Sequence, residues 1–309
     1  MMFKNSIRLL CANFAVVWKL LVYHVVSIAI CVGLLAVFHK DYISFFNLAY
    51  EEAQLSSVFG TGTLFGSGNI ASALTKVANF AVFYLKIMFT TNVGLGIYFL
   101  AVIFYIFPMF MNIGKIVTCE MIYGYMSACQ RQSFSGTFIK TLKSSLAYSS
   151  IKCLYAIPFN ALTFLSMWGL TRVNSGAFDY IMPFAFVIVP ALVMAFKETF
   201  NAGWAPAKVV YNHNVSKSYS IGMRAVFRRA SKVFSTAFIF YLLAIVLSVV
   251  LGLYSIIIIL PIVSPLFHIF EMVSFFSSQG MRFYVDNDTI LSPKKLEEID
   301  KIEDAKYLL

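Results

Sequence analysis

Apolar residues in this chain come in long unbroken runs, not in the period-two alternation of half-buried strands. Such runs predict helices long enough to cross a bilayer. The first, Leu20 to Phe38, contains no Asp, Glu, Lys or Arg. At about 1.5 Å of rise per residue it covers roughly one hydrocarbon core. The same reading gives further spans over 93–113, 148–168, 180–196, 234–252 and 255–277. Pro158, Pro183 and Pro190 lie inside these runs, where neighbouring helices can re-satisfy the carbonyls that proline frees. No small-x-small cleavage site follows Leu20–Phe38, so a retained anchor is expected in place of a signal peptide.

Between the runs, a different periodicity appears. Lys217, Arg224, Arg228 and Lys232 share one face of a helical wheel, with Arg229 beside them. Tyr219, Met223, Val226, Phe227 and Ala230 share the other, and only Ile221 is out of place. Near the N-terminus, Phe3, Ile7, Leu10, Phe14 and Trp18 align, with Lys4, Arg8 and Lys19 to one side. Ahead of the third span, Phe134, Phe138, Leu142 and Leu146 oppose Lys140 and Lys143. Each is the pattern of a helix lying in a membrane surface, apolar side in the acyl boundary and cations on lipid phosphates. The expected fold class is therefore all-α integral membrane, a six-span helical bundle. Basic amphipathic interfacial helices precede spans 1, 3 and 5.

The longest connection, 39–92, has a mildly amphipathic stretch from Tyr42 to Phe59 with Glu51 and Glu52 on its polar side. A Gly-rich turn follows from Gly60 to Asn69. Its glycines lack the spacing of a dinucleotide fingerprint, and it reads as a hinge. Ile70 to Phe89 is apolar but carries Lys76, Asn79 and Lys86. An interfacial or re-entrant helix is expected there, with a seventh span as the alternative.

Charge gives the orientation. Lys4, Arg8 and Lys19 precede span 1. Lys115, Arg131, Lys140 and Lys143, against Glu120 alone, lie between spans 2 and 3. Seven cations against Glu198 alone lie between spans 4 and 5. The connections 39–92 and 171–179 each balance to zero. By the positive-inside bias both termini are cytoplasmic, with the bacterial plasma membrane as the expected location. A net charge of +10 then needs no nucleic acid, and no recognition motif accompanies it. With 60% hydrophobic and 12% charged residues, the chain is outside the range of soluble domains. One transmembrane domain is expected over 1–280, with a short polar cytoplasmic tail over 281–309.

A weak repeat underlies the pattern. Ser133-Phe134-Ser135-x-x-Phe138-x-x-x-Leu142-Lys143 matches Ser218-Tyr219-Ser220-x-x-Met223-x-x-x-Phe227-Arg228, and a helical hairpin follows each copy. With the N-terminal helix this suggests a three-fold pseudo-repeat of one surface helix, one span out and one span back.

Chemistry is sparse. Cys11, Cys31, Cys119, Cys129 and Cys153 show no zinc spacing and are read as structural thiols. Asp286, Asp288, Ser292 and Glu297 mimic a calcium loop, but Leu291 stands where the obligatory glycine belongs. No nucleophile elbow, zinc helix or phosphate loop is present. No cofactor and no metal are expected. The clearest polar signal is on span 6, where Ser264, His268, Glu271 and Ser278 share a face. Ionisable groups inside spans are rare and mark cavities, pathways or ion pairs. Lys152 and Asn160 are the expected neighbours, with Lys152 as the cation for Glu271.

Two functions remain. The first is a non-enzymatic scaffold or accessory protein that grips anionic inner-leaflet lipid through Lys4, Arg8, Lys140, Lys143, Lys217, Arg224, Arg228, Arg229 and Lys232. Its bundle would dock a membrane-protein partner or a second copy. The alternative is a transporter of a small solute, ion or lipid along a path of Ser264, His268, Glu271, Lys152 and Asn160.

Overall fold

The computed structural model describes residues 2–56, 70–170, 172, 181–227, 229–251, 262–286 and 289–291. These are overwhelmingly helical, and five helices have the length and composition to cross a membrane: Ala15–Ala36, Val93–Ala128, Phe134–Leu170, Phe184–Tyr211 and Ala230–Leu247. Their outer faces agree with that solvent. Val22, Val25, Val26 and Ile30 on one helix, and Ile151, Leu154, Leu162 and Leu165 on another, are all exposed. Apolar rows of that length are unfavourable against water and ordinary against lipid. The chain is an all-α protein of membrane type.

Two compact units are present. The first comprises Met1–Val25, Met111–Ser149 and Ala195–Leu309, the second Val26–Phe110 and Ser150–Met194.

The second unit includes the latter half of helix α2 (Ala15–Ala36), then α3 (His39–Glu52), α4 (Ile70–Thr91) and α5 (Val93–Ala101). It is held by aromatic packing. Tyr42, Phe45 and Met88 form its buried centre, with Phe38, Tyr98 and Phe99 against them. Asn92 separates α4 from α5, and its side-chain oxygen accepts the Leu95 N–H at 3.2 Å. That is the N-cap that stops one helix and starts the next. A π-helical turn, Val102–Ile106, joins α5 to α6 (Phe107–Ala128). Pro108, lacking an N–H, sits just after this turn, where the backbone ladder has to change register. α4, with Lys76 and Lys86, is not among the five candidate spans. The Gly60–Asn69 hinge lies outside the described residues.

The first unit begins with α1 (Met2–Ala12). It ends where the Asn13 side chain donates back to the Leu9 carbonyl at 3.1 Å. The unit also takes the last part of α6, the start of α7 (Phe134–Leu170) and the end of α8 (Met182–Asn201). After α8 come α9 (Trp204–Tyr211), α10 (Val215–Phe227), α11 (Ala230–Leu251) and α12 (Ser264–Gln279). α12 terminates at Gly280, whose φ of 69° is the left-handed C-cap that glycine adopts without cost. Beyond it Phe283–Tyr284 pairs antiparallel with Ile290–Leu291, a two-stranded hairpin absent from the sequence reading. Asp286 lies in its turn region, while the tail from 292 onward lies outside the described residues.

Several expected boundaries move, each for a physical reason. The basic connection 114–145 is largely helical. α6 carries Lys115 and Glu120 within its length, and α7 runs unbroken through Lys140, Lys143 and the third span. At about 1.5 Å per residue, 37 residues exceed a ~30 Å core even when tilted. Part of α7 therefore extends beyond the hydrocarbon, coaxial with its span and not lying flat. No helix breaker stands between Phe134 and Pro158 except Gly136 in the first turn. The basic helix expected over 217–232 is split, since α10 ends at Phe227 and α11 begins at Ala230. Of the sixth span expected over 255–277, residues 255–261 lie outside the described residues. The described part, α12, is buried in protein from Phe267 to Phe276.

The repeated serines do different work. Ser133 precedes α7, and its Oγ accepts the Gly136 N–H at 3.2 Å. Ser218 is inside α10, fully buried, and donates to the His213 carbonyl at 3.2 Å.

Candidate functional site

The most chemically loaded place in the first unit surrounds α12. This helix has no polar face to turn to water: Phe267 through Phe276 are all buried, and α1, α9, α10 and α11 pack around it. Within that apolar run stands Glu271, 0% exposed. An ionised carboxylate so placed requires a cation and hydrogen bonds, because desolvation alone would forbid the charge.

The cation is Lys115 of α6. Its Nζ donates to Glu271 Oε1 at 2.6 Å, and Lys115 is itself only 4% exposed. A second carboxylate, Glu198 of α8, places Oε2 3.9 Å from the same Nζ and is also buried. The arrangement is one ammonium between two carboxylates, with unequal distances. The short contact is a charge-assisted hydrogen bond; the longer one is Coulombic attraction without hydrogen-bond geometry. The Phe267 ring, one helical turn before Glu271, has its centroid 6.0 Å from Nζ, at the outer limit of cation–π attraction.

Aromatic hydroxyls close the cluster. Tyr241 of α11 is in hydrogen-bonding contact with Glu198 and within electrostatic reach of Glu271. Tyr148 of α7 is within electrostatic reach of Lys115, Glu271 and Glu198. Its ring packs edge-on against Trp204 at 5.2 Å, and Trp204 packs against Tyr219 at 4.8 Å. The Trp204 Nε1 donates to the Val215 carbonyl at 2.9 Å, which ties α9 to the start of α10. Five helices (α6, α7, α8, α11 and α12) thus send a polar group to one buried point.

Some of the residues singled out by the sequence pattern lie near this cluster's helix. His268 and Glu271 are buried on α12, with Ser264 half-buried at its start. The cation bonded to Glu271 at 2.6 Å is Lys115, while Lys152 and Asn160 belong to the second unit, where Lys152 is buried and Asn160 half-buried. Lys115 and Glu198 were assigned to loops because their spans were ended too early, at Ile113 and Phe196. The signal was present: Lys115 is a lone charge in the apolar run Ile113-Gly-Lys-Ile-Val. Among the described residues, no third His, Cys, Asp or Glu joins a pair to form a metal-binding group.

The basic residues are elsewhere in the fold. Lys4, Lys143, Lys217, Arg224 and Lys232 are exposed and Arg229 is half-buried, while the side chain of Arg228 lies outside the described residues. Arg8 pairs with Asp286 at 2.8 Å, and Lys140 with Glu120 at 3.3 Å. Contacts of this exposed kind contribute little to stability. α10 does not lay its whole apolar side outward, since Ser218, Gly222, Ala225 and Val226 are buried. Gly222 meets Gly203 so closely that a Cβ on either would collide with the other's backbone. Phe227, 64% exposed, remains on the outer surface.

Searches of protein-family models, of curated proteins and of solved structures found no match to this chain.

Proposed function

We propose that this is a six-span, non-enzymatic membrane scaffold, with both termini cytoplasmic, whose basic surface grips anionic inner-leaflet lipid. The observation that carries this reading is the make-up of the first unit. Its segments, Met1–Val25, Met111–Ser149 and Ala195–Leu309, contain the three basic stretches identified by charge counting. They are held together by direct contacts: Arg131 donates to the Ala12 carbonyl at 3.2 Å, and α12 packs on α1, α9 and α10. Connections that touch, as those at Arg131 and Ala12 do, lie on one side of the membrane, and we read that side as the cation-bearing cytoplasmic one, following the positive-inside bias.

The same contacts support six crossings. α10 and α12 pack together, yet the candidate span Ala230–Leu247 lies between them in the chain. A chain that leaves on α11 has to return for α12 to meet α10, which is the crossing that the six-span reading requires.

The first and third copies of the expected pseudo-repeat support it better than the second. α1 and α10 are each followed by a two-residue break and then a candidate span, α2 and α11. α7 has no such break.

The test is thermal unfolding of the purified protein in nanodiscs of phosphatidylcholine, with and without phosphatidylglycerol. The anionic lipid raises the unfolding temperature of the wild type, and Lys217→Glu with Arg224→Glu removes most of that gain. Equal stability in both lipids sinks the lipid-grip reading.

A second reading is favoured by the cluster itself: two carboxylates around one lysine resemble the ionisable groups of transport pathways. In reconstituted vesicles carrying a pH dye, Glu271→Gln and His268→Ala then abolish proton movement driven by an ion gradient. Vesicles of wild-type protein that pass no protons rule this version out.

A further inference from the structure

An apolar cleft of about 290 Å³ opens on the first unit between the end of α8, α10 and the first turns of α11. Phe196 and Phe200 form one wall, packed edge to face at 4.8 Å, and Met223, Phe227 and Phe234 line the rest. Of the two hydroxyl residues in the lining, Thr199 already donates to the Ala195 carbonyl at 2.7 Å. An occupant therefore meets hydrocarbon. Phe196 and Phe227 are 52% and 64% exposed, so the mouth presents aromatic surface that water does not favour.

On the α10 and α11 sides the charges adjoining the cleft are all positive, while on the α8 side Lys197 and Glu198 offset each other and Glu198 lies beside Lys115. Arg224, Arg229 and Lys232 adjoin its lining in the chain, and neither α10 nor α11 contains an Asp or Glu. None of the three cations forms a salt bridge among the described residues. The cleft also straddles the break between a surface helix and a candidate span, the depth at which lipid phosphate gives way to acyl chain.

We infer that this cleft holds one acyl chain of an anionic phospholipid, whose phosphate is bound by Arg224, Arg229 and Lys232. The inference rests on the reading of α10 as a membrane-surface helix, and adds to it a discrete site. A free phosphate would satisfy the cations but leave the aromatic walls exposed. A zwitterionic lipid would fill the walls but bring its own choline cation up against the three cations.

The test uses the full-length protein in nanodiscs with photoactivatable lipids carrying a diazirine in the acyl chain, one with a phosphatidylglycerol head and one with phosphatidylcholine. The glycerol probe labels peptides containing Phe200, Met223 and Phe227 several-fold more than the choline probe. Arg229→Gln and Lys232→Gln each lower that labelling about fivefold, the effect of one cation at a lipid surface. Ser231→Trp, which fills the cleft, removes labelling while the protein still melts normally in phosphatidylcholine. Equal labelling by both probes, or labelling indifferent to the two Gln variants, overturns the site. If phosphatidylglycerol still stabilises the wild type in that case, the surface reading survives and only the site is lost. If it does not stabilise, both fall.

Discussion

At the scale of single residues, the most consequential choice in this chain is a glutamate in the middle of a buried apolar helix. Glu271 is tolerable because Lys115 reaches it at 2.6 Å, and Lys115 is tolerable because two carboxylates face it. Buried pairs of this kind contribute little net stability against an apolar replacement, but breaking one by removing a single partner costs about 3–5 kcal/mol. The distances assign the carboxylates unequal weight. Lys115→Met therefore destabilises by roughly that amount, Glu271→Gln by most of it, and Glu198→Gln by clearly less. The double variant Lys115→Met/Glu271→Leu recovers much of the loss, since it leaves no uncompensated charge at the short contact. Denaturation midpoints in mixed detergent micelles measure the series. If Glu198→Gln proves as costly as Glu271→Gln, or the double variant no better than Lys115→Met alone, the pairing described here is wrong. From sequence, half of this pair was legible: a charge in an apolar run announces itself, as Glu271 did. Lys115 is also a lone charge in an apolar run, but its place just past the expected end of a span gives it the look of an ordinary loop cation until the helix is seen to continue.

At the scale of elements, period and hydropathy located helices well and their ends poorly. The runs beginning near Leu20, Val93 and Tyr180 all became helices, but α2 starts at Ala15 and α6 continues to Ala128. Hydrophobicity marks where a helix meets lipid, whereas capping and breakers decide where it stops. Asn13 and Asn92 are such breakers, each with a side chain bonded to nearby backbone. The 283–291 hairpin was invisible because its strands are two residues each. The tight approach of α10 to the start of α9 was equally hidden, since Gly222 and Gly203 look like any glycines in sequence. Because a Cβ on Gly222 would meet the Gly203 carbonyl, Gly222→Ala forces α10 away from the start of α9. The expected cost is about 1–3 kcal/mol or more, as for other overpacked interiors. Gly33 and Gly169 are the controls. Nothing lies within 4 Å of a Cβ at either, so Gly33→Ala in mid-helix is neutral or stabilises by up to about 1 kcal/mol. The comparison is made by the same denaturation assay. A Gly222→Ala protein as stable as Gly33→Ala would mean that the two backbones do not touch.

At the scale of the whole molecule, topology follows from which parts of the chain meet. Arg8, before the first candidate span, bonds Asp286, after the last described helix, at 2.8 Å. An even number of crossings must separate two residues on one side of a membrane. Among the described residues five helices qualify by length and apolarity, so the six-span reading that we propose requires one crossing more. Sequence-level charge counting reaches the same parity independently, because the cations cluster in alternate connections. Cys11 offers the direct measurement. It is exposed on α1, whereas Cys31, Cys119 and Cys153 are buried and Cys129 is half-buried. In a variant retaining Cys11 alone, a membrane-impermeant maleimide should fail to label intact cells and should label inverted vesicles. A second variant with one added cysteine, Thr289→Cys in the hairpin, should behave identically, because the Arg8–Asp286 contact places it on the same side. Labelling of both positions from outside would reverse the orientation while preserving the six-span count. Labelling of one from each side would require an odd number of crossings, and the model of a bundle gathered on one basic face would fail with it.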